Sequence, residues 1–503
     1  MKISFVTKPA PRAAVLVVLV AEDLRLGARA AAIDHGTGGA LARALRAPRF
    51  KGKKGEVLDL VAPNGVGARR VLLLGLGAAK ELDALAAREA GGALAAHLLA
   101  EHETAASLLV EIPKGSKLEE AHLAAELAFG LRLRNYRFHR FMTEAKPDRP
   151  NPLVTIELAV AGPAAAEKAM RRRAAVAAGV ELARDLTNEP PNELYPESFV
   201  ARAKALARLG VKVEALDVKQ MAKLGLNALL AVGKGSARPP RLLVLQYDGT
   251  GKAGGRKEGP LAFVGKGVCF DSGGLCLKRP NAMFEMKGDM AGGAAVIGLI
   301  RALAERKAKV HVVGVIGLVE NLPSSTAFKP GDIVKTMAGR TIEMLDTDAE
   351  GRLVLIDALH YTVSRFKPRS VVDLATLTYS IQAALGNVFA GLFASEDRLA
   401  ERLAAAGQAV GERLWRMPLD KAYDTHLESR IADIKHHAED AESADAPHAA
   451  ALLKQFVGAC PWAHLDIAGQ EFRGKDQPMA PAGATGYAVQ LLEEFVAKIE
   501  GIG

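Results

Sequence analysis

Two short stretches of the chain concentrate charged side chains in patterns that could do chemistry. The first runs Val264-Gly-Lys-Gly-Val-Cys-Phe-Asp-Ser-Gly-Gly-Leu-Cys-Leu-Lys278 and continues into Glu285-Met-Lys-Gly-Asp-Met290; the second is Asp346-Thr-Asp-Ala-Glu-Gly-Arg-Leu353. In the second, Asp348, Glu350 and Arg352 alternate, and in an extended chain alternate side chains share a face. Two carboxylates and a guanidinium on one face repel or pair unless something organises them. Leu353, Leu355 and Ile356 then begin an apolar helical pattern. The triplet is therefore expected in a strand-to-helix loop, the kind of segment where active sites concentrate. In the first stretch Lys266 and Asp271 flank a predicted strand end, Gly273 and Gly274 allow a sharp turn, and Lys278 and Asp289 follow on the next elements.

Each of these residues alone is unremarkable. An aspartate before two glycines is an ordinary turn residue, a single lysine is ordinarily solvated, and Asp348 and Glu350 could simply cap the next helix. Together they form a coherent site. Four carboxylates (Asp271, Asp289, Asp348 and Glu350) in apolar surroundings need compensating positive charge. Two divalent cations supply it, and oxygen ligands without histidine suit manganese, magnesium or zinc in a paired site. The 12 histidines contain no His-Glu-x-x-His pattern, so the common one-zinc protease site is absent.

The elements that must position these residues are read from periodicity. A first part, residues 1–165, reads as a small α/β domain with strands at Val15–Val20, Arg70–Leu74 and Leu108–Ile112 and helices at Glu81–Ala100 and Lys117–Leu131. A proline-rich stretch at 147–152 precedes a short strand, 153–160. Pro163 opens a helical pattern to about Leu186; residues 166–187 are read as a linker helix, which Pro190 and Pro191 stop. Residues 188–503 alternate strands at Arg241–Tyr247, Leu261–Val264, Val310–Ile316, Ser370–Ala375 and Ala463–Ile467 with helices such as Ala291–Glu305 and Leu353–Phe366. That alternation predicts a largely parallel sheet with helices on both faces and a site in loops at the strand ends. Gly75-Leu76-Gly77 lacks the third glycine and the context of a dinucleotide loop, and Gly265-Lys266-Gly267 is no complete phosphate loop; both are read as tight turns.

Composition excludes several classes. With 503 residues, 49% hydrophobic and 24% charged, the chain reads as a soluble, two-domain globular protein. The apolar run Ala13–Ala21 is about half the length of a membrane span, and the amino end lacks a signal-peptide layout, so a cytoplasmic location is expected. Cys269, Cys276 and Cys460 form no disulfide framework or zinc spacing and are read as small buried residues. The net charge of +9 is spread along the chain, so solvated faces are favoured over a nucleic-acid surface.

The two charged stretches resemble the signatures of the leucyl aminopeptidase family, the hexameric di-metal cytosol aminopeptidases. The resemblance extends through Asp185-Leu-Thr-Asn-Glu-Pro-Pro-Asn192, Ala327-Phe-Lys-Pro-Gly-Asp-Ile-Val334, Thr376-Leu-Thr378, Trp462-Ala-His-Leu-Asp-Ile-Ala-Gly469 and Gly483-Ala-Thr-Gly486. It is weaker before residue 185, where Arg70-Val-Leu-Leu-Leu-Gly-Leu-Gly77 carries it. It implies a smaller, macro-like α/β domain followed by a larger catalytic domain. It also implies one metal held by Lys266, Asp271, Asp289 and Glu350, and a second by Asp271, Asp348 and Glu350 with the Asp348 carbonyl. The ions would be manganese or zinc. A metal-bridging water would attack the first peptide bond, with Lys278 at the oxyanion and Arg352 holding a bicarbonate that shuttles the proton. Asp289 would meet the substrate amino group, and Met286, Thr376, Leu377 and Tyr379 would line the substrate site. The implied substrates are short peptides with a free amino end, and the implied assembly is a homohexamer.

Three places depart from that pattern. Asp346 stands where asparagine is usual, Tyr379 where glycine is usual, and Ala444-Asp-Ala-Pro-His-Ala-Ala450 where glycine, serine and threonine predominate. These bear on selectivity more than on activity. Two other readings share the scaffold: a non-catalytic, DNA-binding regulator, and a hydrolase of another small amide.

Overall fold

The computed structural model describes residues 1–9, 13–144, 151–251, 259–438 and 444–502. The chain forms two compact units, one of Met1–Ala177 with Arg473–Gly483 and one of Ala178–Phe472 with Ala484–Gly503. Residues 473–483, expected with the second part of the chain, fall in the first unit. Helix Pro163–Asn188 begins in the first unit and ends in the second.

The first unit holds a six-stranded sheet built from β1 (Lys2–Val6), β2 (Val15–Val20), β3 (Val57–Val61), β4 (Arg70–Gly75), β5 (Ala105–Leu109) and β6 (Thr155–Ala159), in the order β1-β6-β5-β2-β4-β3. Only β3 runs antiparallel to its neighbour. The runs Val15–Val20 and Arg70–Gly75 are apolar on both faces because both faces are covered. Helices Ala84–Ala100 and Glu120–Arg134 bury Leu94, Leu98, Leu123 and Leu127 against one face. Leu41 and Phe50 fill the other. Strand β5 starts and ends three residues before the predicted span: Ala105 and Ala106 pair with β6, while Val110 to Ile112 lie past the strand. The proline-rich stretch falls largely outside the described residues.

The second unit is built on an eight-stranded sheet formed by β7 (Lys212–Leu216), β8 (Arg241–Asp248), β9 (Leu261–Asp271), β10 (His311–Asn321), β13 (Ser370–Ala375), β14 (Ala390–Ala394), β15 (Leu414–Arg416) and β17 (Trp462–Asp466). The order is β15-β14-β17-β13-β9-β10-β8-β7. The central strands β17, β13, β9 and β10 are mutually parallel, and β14 and β8 flank them antiparallel. A small sheet of β11 (Ile333–Lys335), β12 (Thr341–Glu343) and β16 (Ile434–Lys435) lies apart from it. Helix Ala291–Glu305, predicted with these bounds, packs on β9 and is buried along nearly its whole length.

Strand β9 corrects the sequence reading. It runs to Asp271, seven residues beyond the predicted end, and carries Gly265 and Gly267 in its interior rather than in a turn. Their role is close approach. A Cβ at Gly265 would lie 2.6 Å from the Cα of Gly293 on the packed helix, and one at Gly267 would lie 2.6 Å from the carbonyl of Gly317 on β10.

One buried carboxylate ties the elements around this sheet together. Asp357, on helix Glu350–Phe366, accepts from the backbone N–H groups of Ala228 (2.8 Å), Leu229 (3.1 Å) and Met337 (2.9 Å). It thereby caps the helix Asn227–Val232 from a distant part of the chain. Burial pushes its carboxyl up to about 6, against the three donors that favour the anion. Replacing Asp357 by alanine strands three buried donors, so the second unit should lose about 3 kcal/mol of stability, with a smaller loss for Asp357→Asn. Urea unfolding followed by tryptophan fluorescence checks this directly, because both tryptophans, Trp415 and Trp462, belong to the second unit.

Candidate metal centre

The carboxyl ends of the parallel strands converge on one charged cluster, where ligand sites of open α/β sheets form. Strand β9 delivers Lys266 and Asp271. These are five residues apart, so strict alternation would send them to opposite faces. A register skip corrects this: Val268 faces Val319 on β10, but Phe270 faces Glu320, leaving Cys269 without a counterpart. The bulge restores parity and turns Asp271 toward the side of Lys266. Immediately after the strand, Gly273 and Gly274 adopt φ of +84° and +67°, a double left-handed turn that brings the chain back toward Lys278.

The second charged stretch is organised differently from the sequence expectation. Asp348 lies in a loop, but Glu350 is the first residue of helix Glu350–Phe366 and Arg352 lies within its first turn, so the triplet is not an extended ribbon. Asp346 accepts from the Asp348 backbone N–H at 2.8 Å and so fixes the loop; an asparagine side-chain oxygen offers the same acceptor. Gly351 lets Lys266 pass: a Cβ there would lie 2.7 Å from the lysine Nζ.

Two lysines lie among the four carboxylates. Lys266 Nζ is 2.8 Å from Asp289 Oδ1 and 2.9 Å from Glu350 Oε1, and it donates to the Thr376 carbonyl at 2.9 Å. Lys278 Nζ is 2.9 Å from Asp271 Oδ2 and 2.5 Å from Asp348 Oδ1. Lys266, Asp271, Asp289, Glu350 and Arg352 are buried, while Asp348 and Lys278 keep some solvent exposure. Oxygens of Asp271, Asp348 and Glu350 come within 4.8 Å of one another.

The electrostatics follow from burial. Removal from water pushes the Asp271 and Asp289 carboxyls above the carboxylate range, Glu350 adds to the rise, and the lysines oppose it. Asp348 is pushed up to about 7, first by burial and then by Asp271. Burial works to discharge Lys266 and Lys278, but the surrounding carboxylates outweigh it and hold both ammoniums above their ordinary value. Two ammoniums do not neutralise four carboxylates. Asp289 Oδ2 is buried with no hydrogen-bond partner, and Glu350 Oε1 and Asp348 Oδ1 touch lysines only as ion pairs, without hydrogen-bond geometry. Such a donor set, short of positive charge and with an acceptor left over, fits divalent cations.

A supporting layer holds the cluster. Asn321, the last residue of β10, donates from Nδ2 to Asp271 Oδ1 (2.8 Å) and to the Thr347 carbonyl (2.9 Å). Thr347 Oγ1 donates to the Gly273 carbonyl at 2.6 Å and accepts from the Cys276 N–H. Thr376 Oγ1 donates to Asp289 Oδ1 at 2.7 Å. Asp466, at the end of β17, accepts from the Leu377 N–H and the Thr378 hydroxyl and so fixes the 376–378 loop. Arg352 donates from Nη1 to the His436 carbonyl (3.2 Å) and from Nη2 to Asp445 (2.7 Å).

Sequence reasoning did not single out Asn321, Thr347, His436, Asp445 or Asp466. Asp466 and Thr347 lie inside quoted motifs and could have been chosen as strand-end or loop polar residues. Asn321 ends a strand whose predicted span stopped at Ile316, so nothing marked it. Of the predicted substrate-site residues, Met286 is half-buried in the turn Phe284–Gly288, Leu377 lies in the loop after β13, and Tyr379 begins helix Tyr379–Leu385 with 80% of its surface exposed.

Fold and site together define a metal-dependent hydrolase. The pattern of the cytosol aminopeptidase family catalytic domain matches residues 181–493, and that of the family's N-terminal domain matches residues 17–145. A probable cytosol aminopeptidase from Bradyrhizobium sp. is 49% identical over 502 residues, covering 99% of this chain and 98% of the relative. Two solved structures are similar along nearly the full length. One is the bottromycin maturation enzyme BotP in complex with Mn, with 33% identity, TM-score 0.83, and 97% of this chain and 99% of that one covered. The other is a tomato leucine aminopeptidase mutant, with 32% identity, TM-score 0.85, and 99% and 97% covered. The chain belongs to the cytosol aminopeptidase family.

Proposed function

We propose that this protein removes the first residue from short peptides with a free amino end, in a reaction that depends on two divalent ions, manganese or zinc. The observation that carries this reading is the largely buried group of four carboxylates and two lysines beside the carboxyl ends of β9 and β10, with Asp289 Oδ2 left without a partner. Lys266, Asp271, Asp289 and Glu350 would hold one ion. Asp271, Asp348 and Glu350, with the Asp348 carbonyl, would hold the other. When bound, the ions supply a water acidic enough to give a nucleophile near neutral pH and polarise the scissile carbonyl. For its nitrogen to become a ligand, Lys266 must lose the proton that the carboxylates favour, and a dication beside it lowers its pKa.

The chain's own groups do the rest. Lys278, held by Asp271 and Asp348, offers positive charge to the oxygen that becomes negative as the carbonyl is attacked. Asp289 takes the substrate amino group, and Thr376 orients that carboxylate through its hydroxyl. Met286, Leu377 and Tyr379 line the pocket for the first side chain. Tyr379, bulkier than the glycine usual there, narrows that pocket and shifts residue preference.

Arg352 gives one N–H of Nη1 to the His436 carbonyl and one of Nη2 to Asp445, and its Nε is unpartnered, so N–H groups remain with which it would hold a bicarbonate. We further propose a cytoplasmic protein that assembles as a homohexamer. Among the described residues no helix is long and apolar enough to cross a membrane.

With manganese bound, leucine amide should be cleaved, and its N-acetylated form at least ~10²-fold more slowly, because an acylated nitrogen is a poor ligand and a poor partner for Asp289. Equal rates on the two substrates contradict the reading.

A further inference from the structure

We infer that Asp466 is a positioning residue for one of the two ions, the one assigned to Lys266 and Asp289, and hardly affects the other. The inference rests on the two-ion reading given above. Thr376 is where it starts, because Thr376 grips the two ligands that belong to that ion alone. Its carbonyl accepts from Lys266 Nζ at 2.9 Å, and its hydroxyl donates to Asp289 Oδ1 at 2.7 Å. Both bonds are compatible with a bound ion. A neutral lysine keeps two N–H groups, so it still donates to the carbonyl when its lone pair goes to a metal. With Asp289 Oδ1 engaged by the hydroxyl, Oδ2 is the oxygen left buried and without a partner.

Thr376 lies in the three-residue loop between β13 and helix Tyr379–Leu385. Asp466, at the end of β17 and opposite Ala375 in the strand register, anchors that loop. Its Oδ1 accepts from the N–H groups of Leu377 (3.1 Å) and Ala468 (3.3 Å), and its Oδ2 accepts from the Thr378 hydroxyl at 2.7 Å. The Thr378 hydroxyl in turn accepts from the Ile381 N–H and caps the helix. Asp466 is fully buried and Thr378 nearly so, and water therefore does not compete for these bonds.

The second ion has a different support. Asp348, the ligand that belongs to it alone, is fixed through its backbone N–H by Asp346 at 2.8 Å and through its side chain by Lys278. Those contacts come from its own loop and from the turn after β9, not from 376–378. Asp271 and Glu350 serve both ions, and Glu350 touches Lys266, so the coupling between the two positions is small but not zero.

The test uses the full chain, stripped and titrated with manganese. Bound ions are counted by equilibrium dialysis, and the spectrum of the coupled manganese pair is followed by electron paramagnetic resonance. The wild type should bind two ions. Asp466→Ala should weaken one of them by roughly 10–100-fold, the range for loss of a residue that supports a ligand, and keep the other within about threefold. The spectrum should then become that of an isolated ion. Adding Asp289→Ala to Asp466→Ala should leave the remaining ion in place, whereas adding Asp348→Ala should weaken it as well. Thr378→Val should act in the same direction by about tenfold, with Thr378→Ser restoring the wild-type affinity. Equal weakening of both ions, no change in either, or selective loss of the Asp348 ion overturns the inference. If Asp466→Ala does not fold, Thr378→Val and Thr378→Ser decide. Leucine amide turnover is read alongside: a wild type that holds two ions but cleaves nothing defeats the aminopeptidase reading, while the ion counts still decide this inference. A wild type that holds fewer than two ions overturns both.

Discussion

Replacing Lys278 by alanine is expected to lower kcat/KM on leucine amide by about 10³-fold, or ~4 kcal/mol, while the protein still binds its metal ions. The geometry separates these outcomes. Lys278 Nζ touches Asp271 Oδ2 and Asp348 Oδ1, two of the carboxylates read as ligands. Deleting an ammonium leaves those carboxylates with less positive charge nearby, so cations should bind at least as tightly as before. What is lost is a charge that acts on the oxygen of the attacked carbonyl, and such a charge matters mainly in the transition state. The loss should fall on kcat and leave KM within a few-fold. Steady-state kinetics beside elemental analysis of the desalted variant measures both. A fall in activity that tracks a fall in metal content would assign Lys278 to the metal site's integrity instead.

The second large effect is expected from Asp271→Asn. Asp271 is at the centre of the cluster: it accepts from the Gly273 N–H and from Asn321 Nδ2, both at 2.8 Å on Oδ1, and it pairs with Lys278 through Oδ2. An asparagine keeps the shape and the Oδ1 contacts but turns an amide N–H₂ toward the Lys278 ammonium. Metal affinity should fall by more than ~10²-fold, beyond the loss typical of a residue that only supports a ligand. Activity at a fixed, limiting metal concentration should fall with it. Without metal the variant should be no less stable than the wild type, because burial and Glu350 already disfavour the Asp271 anion and the neutral amide removes one under-compensated charge. Metal titration followed by activity and by thermal unfolding reads both effects.

Much of this site was legible in the sequence because its chemistry is concentrated in two short stretches. The four carboxylates and two lysines named from those stretches are the ones the fold brings together. Helix Ala291–Glu305 and strand Ser370–Ala375 were legible to the residue because their apolar runs are bounded by charged or polar residues. What periodicity could not show is the bulge at Cys269. It is a relation between two strands, and without it Lys266 and Asp271 belong to opposite faces. The interior glycines of β9 misled for a related reason. Glycine reads as a turn along a single strand, but here it answers a helix and a neighbouring strand that approach from elsewhere in the chain. Asp357 and Asn321 stayed hidden because their partners are twenty or more residues away in sequence or at strand ends longer than predicted. Asp445 lay inside a stretch recognised as unusual, but its pairing with Arg352 is a tertiary fact.

The central claim is that the carboxylate cluster is a metal centre on which hydrolysis depends. The most direct test is to strip the wild type with chelator, return manganese stepwise, and count bound ions per chain while following leucine amide turnover. The account predicts no turnover in the stripped protein and a rise that saturates at two ions per chain. Full turnover in chelator, with no metal bound, would contradict it.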